Sequence, residues 1–262
     1  MATHRRKPDW GRVLARLRRG VAAGDVASIT ELGVTLTEGI QDRNGRCLVR
    51  RNPAYSVRLF RRAAQAGDLT ATGSLGYAYD VGLGVRGNKS LAIKWYRRAA
   101  RLGSSTAVSN LATVYRDRGE LKRAHQWWRR AAEMGDGDAA VSAGYDFYYG
   151  IGARRDVRSA RRLLRQALRA GKASPAGREE ALYHLAVTHV DAGVSHRASR
   201  LLKLANCDGD YPEAAALLGQ IKARAALSPC RCRRDIRKDL LGHTTCPQHP
   251  GSVRLGVRDT AL

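Results

Sequence analysis

Apolar positions along the chain fall into two helical registers that alternate from about residue 24 to residue 221. The first register fills positions i, i+1 and i+4, as in Leu75, Gly76 and Tyr79. The same slots hold Leu32, Gly33 and Leu36, then Leu111, Ala112 and Tyr115, then Ala143, Gly144 and Phe147, and finally Leu185, Ala186 and His189. That spacing gathers side chains on one face of a helix. The middle slot is always Gly or Ala. Gly inside a helix costs roughly 1 kcal/mol against Ala, so its return predicts a helix contact too close for a larger side chain.

The second register is an i, i+3, i+4, i+7, i+8 stripe. It reads Ala92, Trp95, Tyr96, Ala99 and Ala100, then Ala124, Trp127, Trp128, Ala131 and Ala132, then Ala160, Leu163, Leu164, Ala167 and Leu168. Ala198, Leu201, Leu202 and Ala205 continue it. Large residues hold the middle slots and small ones the ends, so bulky side chains meet recesses across a stack. The stripe expects Trp95 in the core, at a cost of roughly 3–5 kcal/mol for its removal.

Each second stripe ends in an Arg doublet and a glycine. Arg61-Arg62-Ala63-Ala64 is followed by Gly67-Asp68, Arg97-Arg98-Ala99-Ala100 by Gly103-Ser104, and Arg129-Arg130-Ala131-Ala132 by Gly135-Asp136. A degenerate copy, Arg165-Gln166-Ala167-Leu168, precedes Gly171-Lys172. The intervals are 36, 32 and 36 residues. A fixed period of this size makes each copy one supersecondary unit that buries its apolar face only against its neighbours. The fold class is therefore all-α: a solenoid of about five helix-turn-helix repeats.

The turns inside the repeats are patterned too. Gly82-Leu83-Gly84-Val85 matches Gly150-Ile151-Gly152-Ala153, whereas Arg118-Gly119-Glu120 and Ala192-Gly193-Val194 are shorter. The first repeat stretches its turn from Gln41 to Asn52, an insertion of the kind that falls on the surface and often on a binding face.

These residues resemble the Sel-one-like repeats, relatives of the tetratricopeptide repeats. That family's hallmark is a Leu-Gly-x-x-Tyr helix, a Gly-x-Gly-Val turn, an Ala-x-x-Trp-Tyr-x-x-Ala-Ala helix and a closing Gly-Asp. Leu75 to Tyr79, Gly82 to Val85 and Ala92 to Ala100 reproduce the order. The resemblance spans roughly Gly24 to Ile221. It implies a right-handed superhelical stack that works as a protein-binding scaffold or adaptor, with no catalytic residue.

Three segments follow. Residues 1–23 form a basic N-terminal capping helix, whose stripe is Trp10, Val13, Leu14, Leu17 and Val21. Residues 24–221 are the repeats, and 222–262 a basic tail. No stretch approaches the ~20 apolar residues of a membrane span. Met1 to Trp10 lacks the apolar core of a secretory signal, and the five Cys show no disulfide framework. The expected compartment is the cytoplasm.

The formal charge of +24 favours partners with an acidic surface and makes association salt-dependent. Arg43, Arg46, Arg50 and Arg51 make the first-repeat insertion a basic protrusion suited to such a protein. The alternative is a solenoid that binds nucleic acid through its Arg rows and basic tail. The aromatics before the doublets could stack bases, but their register assigns them to the core. Gly82 to Gly87 formally matches G-x-G-x-x-G, yet helices flank it where a dinucleotide site needs a strand. His189 stands in the slot of Tyr79 and Tyr115, as a packing residue. His125 and His184 have no acid or nucleophile at a suggestive spacing, and no enzyme is expected.

The tail concentrates the remaining chemistry. Cys230, Cys232, His243, Cys246 and His249 follow the pattern C-x-C-x10-H-x2-C-x2-H. Zinc takes four N or S ligands in a tetrahedral array, and short paired spacings supply them. One structural zinc is expected, held by Cys230, Cys232, Cys246 and either His243 or His249. Cys47 and Cys207 stand apart from it.

Overall fold

The computed structural model describes residues 9–42 and 44–227. Almost everything described is helical. A first helix, α1 (Trp10–Ala22), is capped by Asp9. It leads into five antiparallel pairs: α2 (Val26–Glu38) with α3 (Pro53–Gln65), α4 (Leu69–Val81) with α5 (Lys89–Arg101), and α6 (Ser105–Asp117) with α7 (Leu121–Glu133). The pairs α8 (Gly137–Tyr149) with α9 (Val157–Ala170) and α10 (Pro175–Asp191) with α11 (Ser195–Ala205) follow, and α12 (Pro212–Leu227) packs on α11. The architecture is the stacked helical repeat expected from the two registers. A sixth leading helix, α12, adds to the five pairs and runs past Ile221.

The Gly-Asp closures have a mechanical reason. Gly24, Gly67, Gly103 and Gly135 all take positive φ, which turns the chain sharply. The next residue caps the following helix: Asp25 accepts from the Ser28 amide, Asp68 from Ala71, Ser104 from Ala107 and Asp136 from Ala139. Each cap satisfies one of the amide groups a helix start leaves unpaired. In the degenerate fourth copy the cap moves to Ser174, three residues beyond Gly171.

The small middle slot lies against the large residue of the paired helix. A Cβ at Gly76 would sit 2.6 Å from the Tyr96 ring, and one at Gly33 2.6 Å from Phe60. The residue buried there is the second large one of each stripe. Phe60, Tyr96, Trp128, Leu164 and Leu202 are all buried. Trp95 and Trp127 are only half-buried at the edge, which corrects the expectation of a core Trp95. They look out past the stripe, and the second Arg of each doublet covers them: Arg98 lies over Trp95 and Arg130 over Trp127.

The first Arg of each doublet reaches the next repeat. Arg61 donates to the Tyr79 hydroxyl and Arg97 to that of Tyr115. Arg129 lies over Phe147, which has no hydroxyl to offer. The first helices of successive repeats approach one another, α2 to α4, α4 to α6 and α8 to α10, more closely than the second helices do. Small residues on the first helices permit this, so they line the inner, concave side and α3, α5, α7, α9 and α11 form the outer one.

Candidate functional site

On the inner side, α2, α4 and α6 together wall a groove with a cavity of about 450 Å³. Val34 of α2, Val57 and Phe60 of α3, and Leu69 and Tyr77 of α4 give it an apolar floor and rim. Ser74, Thr106 and Asn110 supply uncharged hydrogen-bonding side chains. Among the described residues, Glu38 is the one charged residue that lines it, and neither Lys nor Arg does. Leu69 is 39% and Tyr77 49% exposed, large apolar surface left open where the stack could have covered it.

The position of this groove follows from the repeat. Tyr77 sits between Gly76, which meets Tyr96, and Ala78 of the core, so its ring is turned to the free side of α4. Thr113 fills the same slot in α6 and Tyr145 in α8. Farther along, Tyr145, Tyr149 and Tyr183 surround His184 with ring centroids 4.9, 5.9 and 5.2 Å away.

The first-repeat insertion is a small antiparallel hairpin, β1 (Ile40–Gln41) with β2 (Cys47–Val49). The Asp42 side chain accepts from the Asn44 and Arg46 amides and shapes its tip. Arg51 donates to the Thr37 carbonyl, 2.9 Å away. It therefore anchors the hairpin to α2 rather than serving as a free basic group. Arg46 and Arg50 are exposed, and Arg43 lies outside the described residues.

Two polar contacts, one buried and one partly buried, escaped the sequence reading. His125 Nδ1 lies 3.1 Å from Asp146 Oδ2, with both side chains almost fully buried. Burial pushes the Asp146 carboxyl above its usual range, against the opposing hydrogen bond from His125. Asp146 stands in the slot held by Ala78 and Val114, and an acid in a core slot demands a partner. That was the available signal. In the next repeat Arg161 occupies the slot of His125 and donates to the Thr188 hydroxyl and carbonyl. His189 is buried as a packing residue, and burial, then the nearby Arg161, Arg165 and Arg197, hold its pKa below the usual value.

Gly82 to Gly87 is a turn between α4 and α5, as the flanking helices require. A Cβ at Gly84 would lie 2.4 Å from the Pro53 carbonyl group, so the turn rests on the start of α3. Gly152 rests in the same way on Leu121 at the start of α7. The five zinc candidates, Cys230, Cys232, His243, Cys246 and His249, lie outside the described residues. Among the described residues no three His, Cys, Asp or Glu side chains gather as a metal site. Cys47 and Cys207 are exposed free thiols, and no described helix is long and apolar enough to cross a membrane.

Comparison with known proteins agrees with the repeat geometry. The Sel1 repeat model matches residues 39–68, 73–104, 114–136 and 137–172. The chain belongs to the Sel1 repeat family. A protective antigen of uropathogenic Escherichia coli, displaying an SLR fold, superposes with a TM-score of 0.69 at 24% identity over 83% of this chain; the match spans only 45% of the antigen. A Sel1 repeat protein from Oxalobacter formigenes gives 0.63 at 24% identity, covering 86% of this chain and 89% of its own. YrrB, a tetratricopeptide-repeat protein with an unusual peptide-binding site, gives 0.50 at 17% identity over 77% of this chain and 96% of its own. No curated protein matches the chain. The shared property of this Sel1 repeat chain and these structures is the stack itself.

Proposed function

We propose that this Sel1 repeat chain is a non-enzymatic scaffold whose concave groove holds an apolar segment of a partner protein. The observation that carries the reading is the exposed pair Leu69 and Tyr77 over a groove built jointly by three repeats. A pocket of this size, mostly apolar with a few uncharged polar groups, suits side chains anchored in a shared slot. The polar groups of Ser74, Thr106 and Asn110 can meet the backbone of the bound segment. With no cation among the described residues of its lining, an acidic partner surface is better met by the exposed Arg46 and Arg50 of the hairpin. The His125–Asp146 pair is sealed from solvent, which favours a packing role for it.

Selection of peptides from a random display library against the full chain tests this. The winners are expected to be apolar, and Tyr77→Glu with Leu69→Glu should weaken them roughly tenfold or more, the effect of losing anchors in a shared pocket. Winners that bind the double variant as tightly as the parent would remove the groove from the reading.

A further inference from the structure

The stack separates its charge by face. The outer helices α3, α5, α7, α9 and α11, together with α1, carry Lys and Arg with Glu133 as their single acid. On the inner side, α2, α4 and α8 carry no Lys or Arg, and α6 and α10 carry one Arg each, Arg116 and Arg178, with acidic residues directly beside them. A compositional preference for Arg would populate exposed positions on both sides, so the separation belongs to the fold. The Arg doublets are not the free part of this surface, because their first members clamp the next repeat and their second members cover Trp95 and Trp127.

What remains free lies beside the doublets. A groove between α5 and α7 is lined by Lys94 and Arg101, with the engaged Arg97 and Arg130 of the doublets closing it around the edge of Trp127. On α9, a second shallow groove is formed by Arg158, Arg162, Arg165 and Arg169 with Gln166. Among the described residues, Lys94, Arg101, Arg158, Arg162 and Arg169 are exposed and have no carboxylate within ion-pair distance. The α9 stripe steps by four, three and four residues, about 4.5–6 Å along the axis each time. Like charges at these spacings repel along a helix, and a chain of anions laid over them relieves that repulsion.

Guanidinium groups meet phosphate oxygens through paired hydrogen bonds, which a stripe made wholly of Arg exploits better than Lys would. A flat bilayer touches a convex stack along one or two helices. On this face, from α5 to α9, the large exposed apolar residues are confined to helix ends, Leu121 at the start of α7 and Leu102 and Met134 just past α5 and α7, with none along the basic stripes. A flexible polyphosphate strand follows the curve from groove to groove, with the edge of Trp127 available to a base.

We propose that the outer face, from the α5–α7 groove to the α9 stripe, binds the phosphate backbone of single-stranded nucleic acid without reading its sequence. This surface is opposite the protein-binding groove and independent of it.

Fluorescence anisotropy with labelled oligo-dT and oligo-U, titrated with the full chain between about 50 and 200 mM salt, tests the proposal. Both homopolymers should bind with similar affinity that falls steeply with salt. The variant Lys94→Ala, Arg101→Ala, Arg162→Ala, Arg169→Ala should bind roughly tenfold or more weakly, and its log–log salt slope should shrink by about 0.7 per lost contact. These side chains are exposed, so its thermal melt should match the parent's. Tyr77→Glu should leave oligonucleotide binding unchanged and separates this face from the groove. Undiminished binding by the four-residue variant would assign the affinity to the basic tail, which both proteins retain, and overturn the proposal. So would an absence of binding at the lowest salt, or stronger binding to phosphatidylglycerol vesicles or polyglutamate than to either homopolymer.

Discussion

The Arg97 guanidinium donates to the Tyr115 hydroxyl at 2.6 Å, and Arg61 donates to Tyr79 at 3.0 Å with the same 18-residue separation. The Arg doublets and the aromatic slot of the first register are thus two halves of one joint between repeats. Tyr115→Phe should destabilise the stack by about 1 kcal/mol, the net worth of one such hydrogen bond. In a double-mutant cycle with Arg97→Met the two losses should overlap. Arg129→Met should show no hydroxyl-dependent coupling, because Phe147 already lacks the acceptor. Urea unfolding of the four proteins of the cycle, and of Arg129→Met beside them, measures this.

Tyr96 and Trp95 should exchange the ranking their sizes suggest. Tyr96 is fully buried against Gly76, so Tyr96→Ala should cost about 3–5 kcal/mol. Trp95→Ala should cost less than half of that, since its outer part already faces Arg98. Gly76→Ala should destabilise by about 1–3 kcal/mol through overpacking, although Ala is the better helix former. Thermal melts of the three single variants decide the order.

His189 makes the stack sensitive to mild acid. Its pKa is lowered in the folded state from 6.5, first by burial and then by the Arg161, Arg165, Arg197 and His196 charges. The folded state therefore favours the neutral ring. The stability this contributes is complete above about pH 6.5 and is lost as pH falls through the lowered folded value. His189→Tyr, which restores the residue of the earlier repeats, should flatten that part of the pH–stability curve. Comparison of melting temperatures from pH 7.5 down to about 5 checks the sign.

We propose the zinc site of the tail on its ligand spacing alone. Purified protein should carry about one zinc per chain, and Cys230→Ser with Cys232→Ser should release it, because a metal's folding energy goes to the segment that supplies the ligands. The far-ultraviolet circular dichroism of the repeats should be nearly unchanged. Elemental analysis by mass spectrometry of protein prepared with zinc and without chelator gives the count.

The repeats were legible because each local signal says the same thing. A Gly in the slot of Gly76, a large residue in that of Tyr96 and a Gly-Asp closure each fit only one arrangement of paired helices. The second Trp-slot residue, rather than the first, fills the core because a helix buries one stripe, and a spacing of adjacent residues cannot say which of the two leans inward. The His125–Asp146 contact was hidden for another reason. Its members are 21 residues apart, on different repeats' helices, and only the slot-by-slot comparison with Ile93 and Val114 marks them as polar residues in apolar positions. The groove itself was illegible from the pattern. Tyr77 reads as one more aromatic until its neighbour Gly76 is seen to meet Tyr96 on the other side of the helix.

The contacts of Gly84 with Pro53 and of Gly152 with Leu121 make the stack mechanically uneven. At these two junctions a turn is wedged against the preceding repeat, which fixes the angle between the two like a strut. The shorter turns at Gly119 and Gly193 carry no such wedge: a Cβ added at either would meet no neighbouring atom. Such wedges recur at every second junction, between the first and second repeats and between the third and fourth. The groove under Tyr77 therefore has a wedged turn on its α2 side and none on its α6 side, so its two walls are held to the stack by different means.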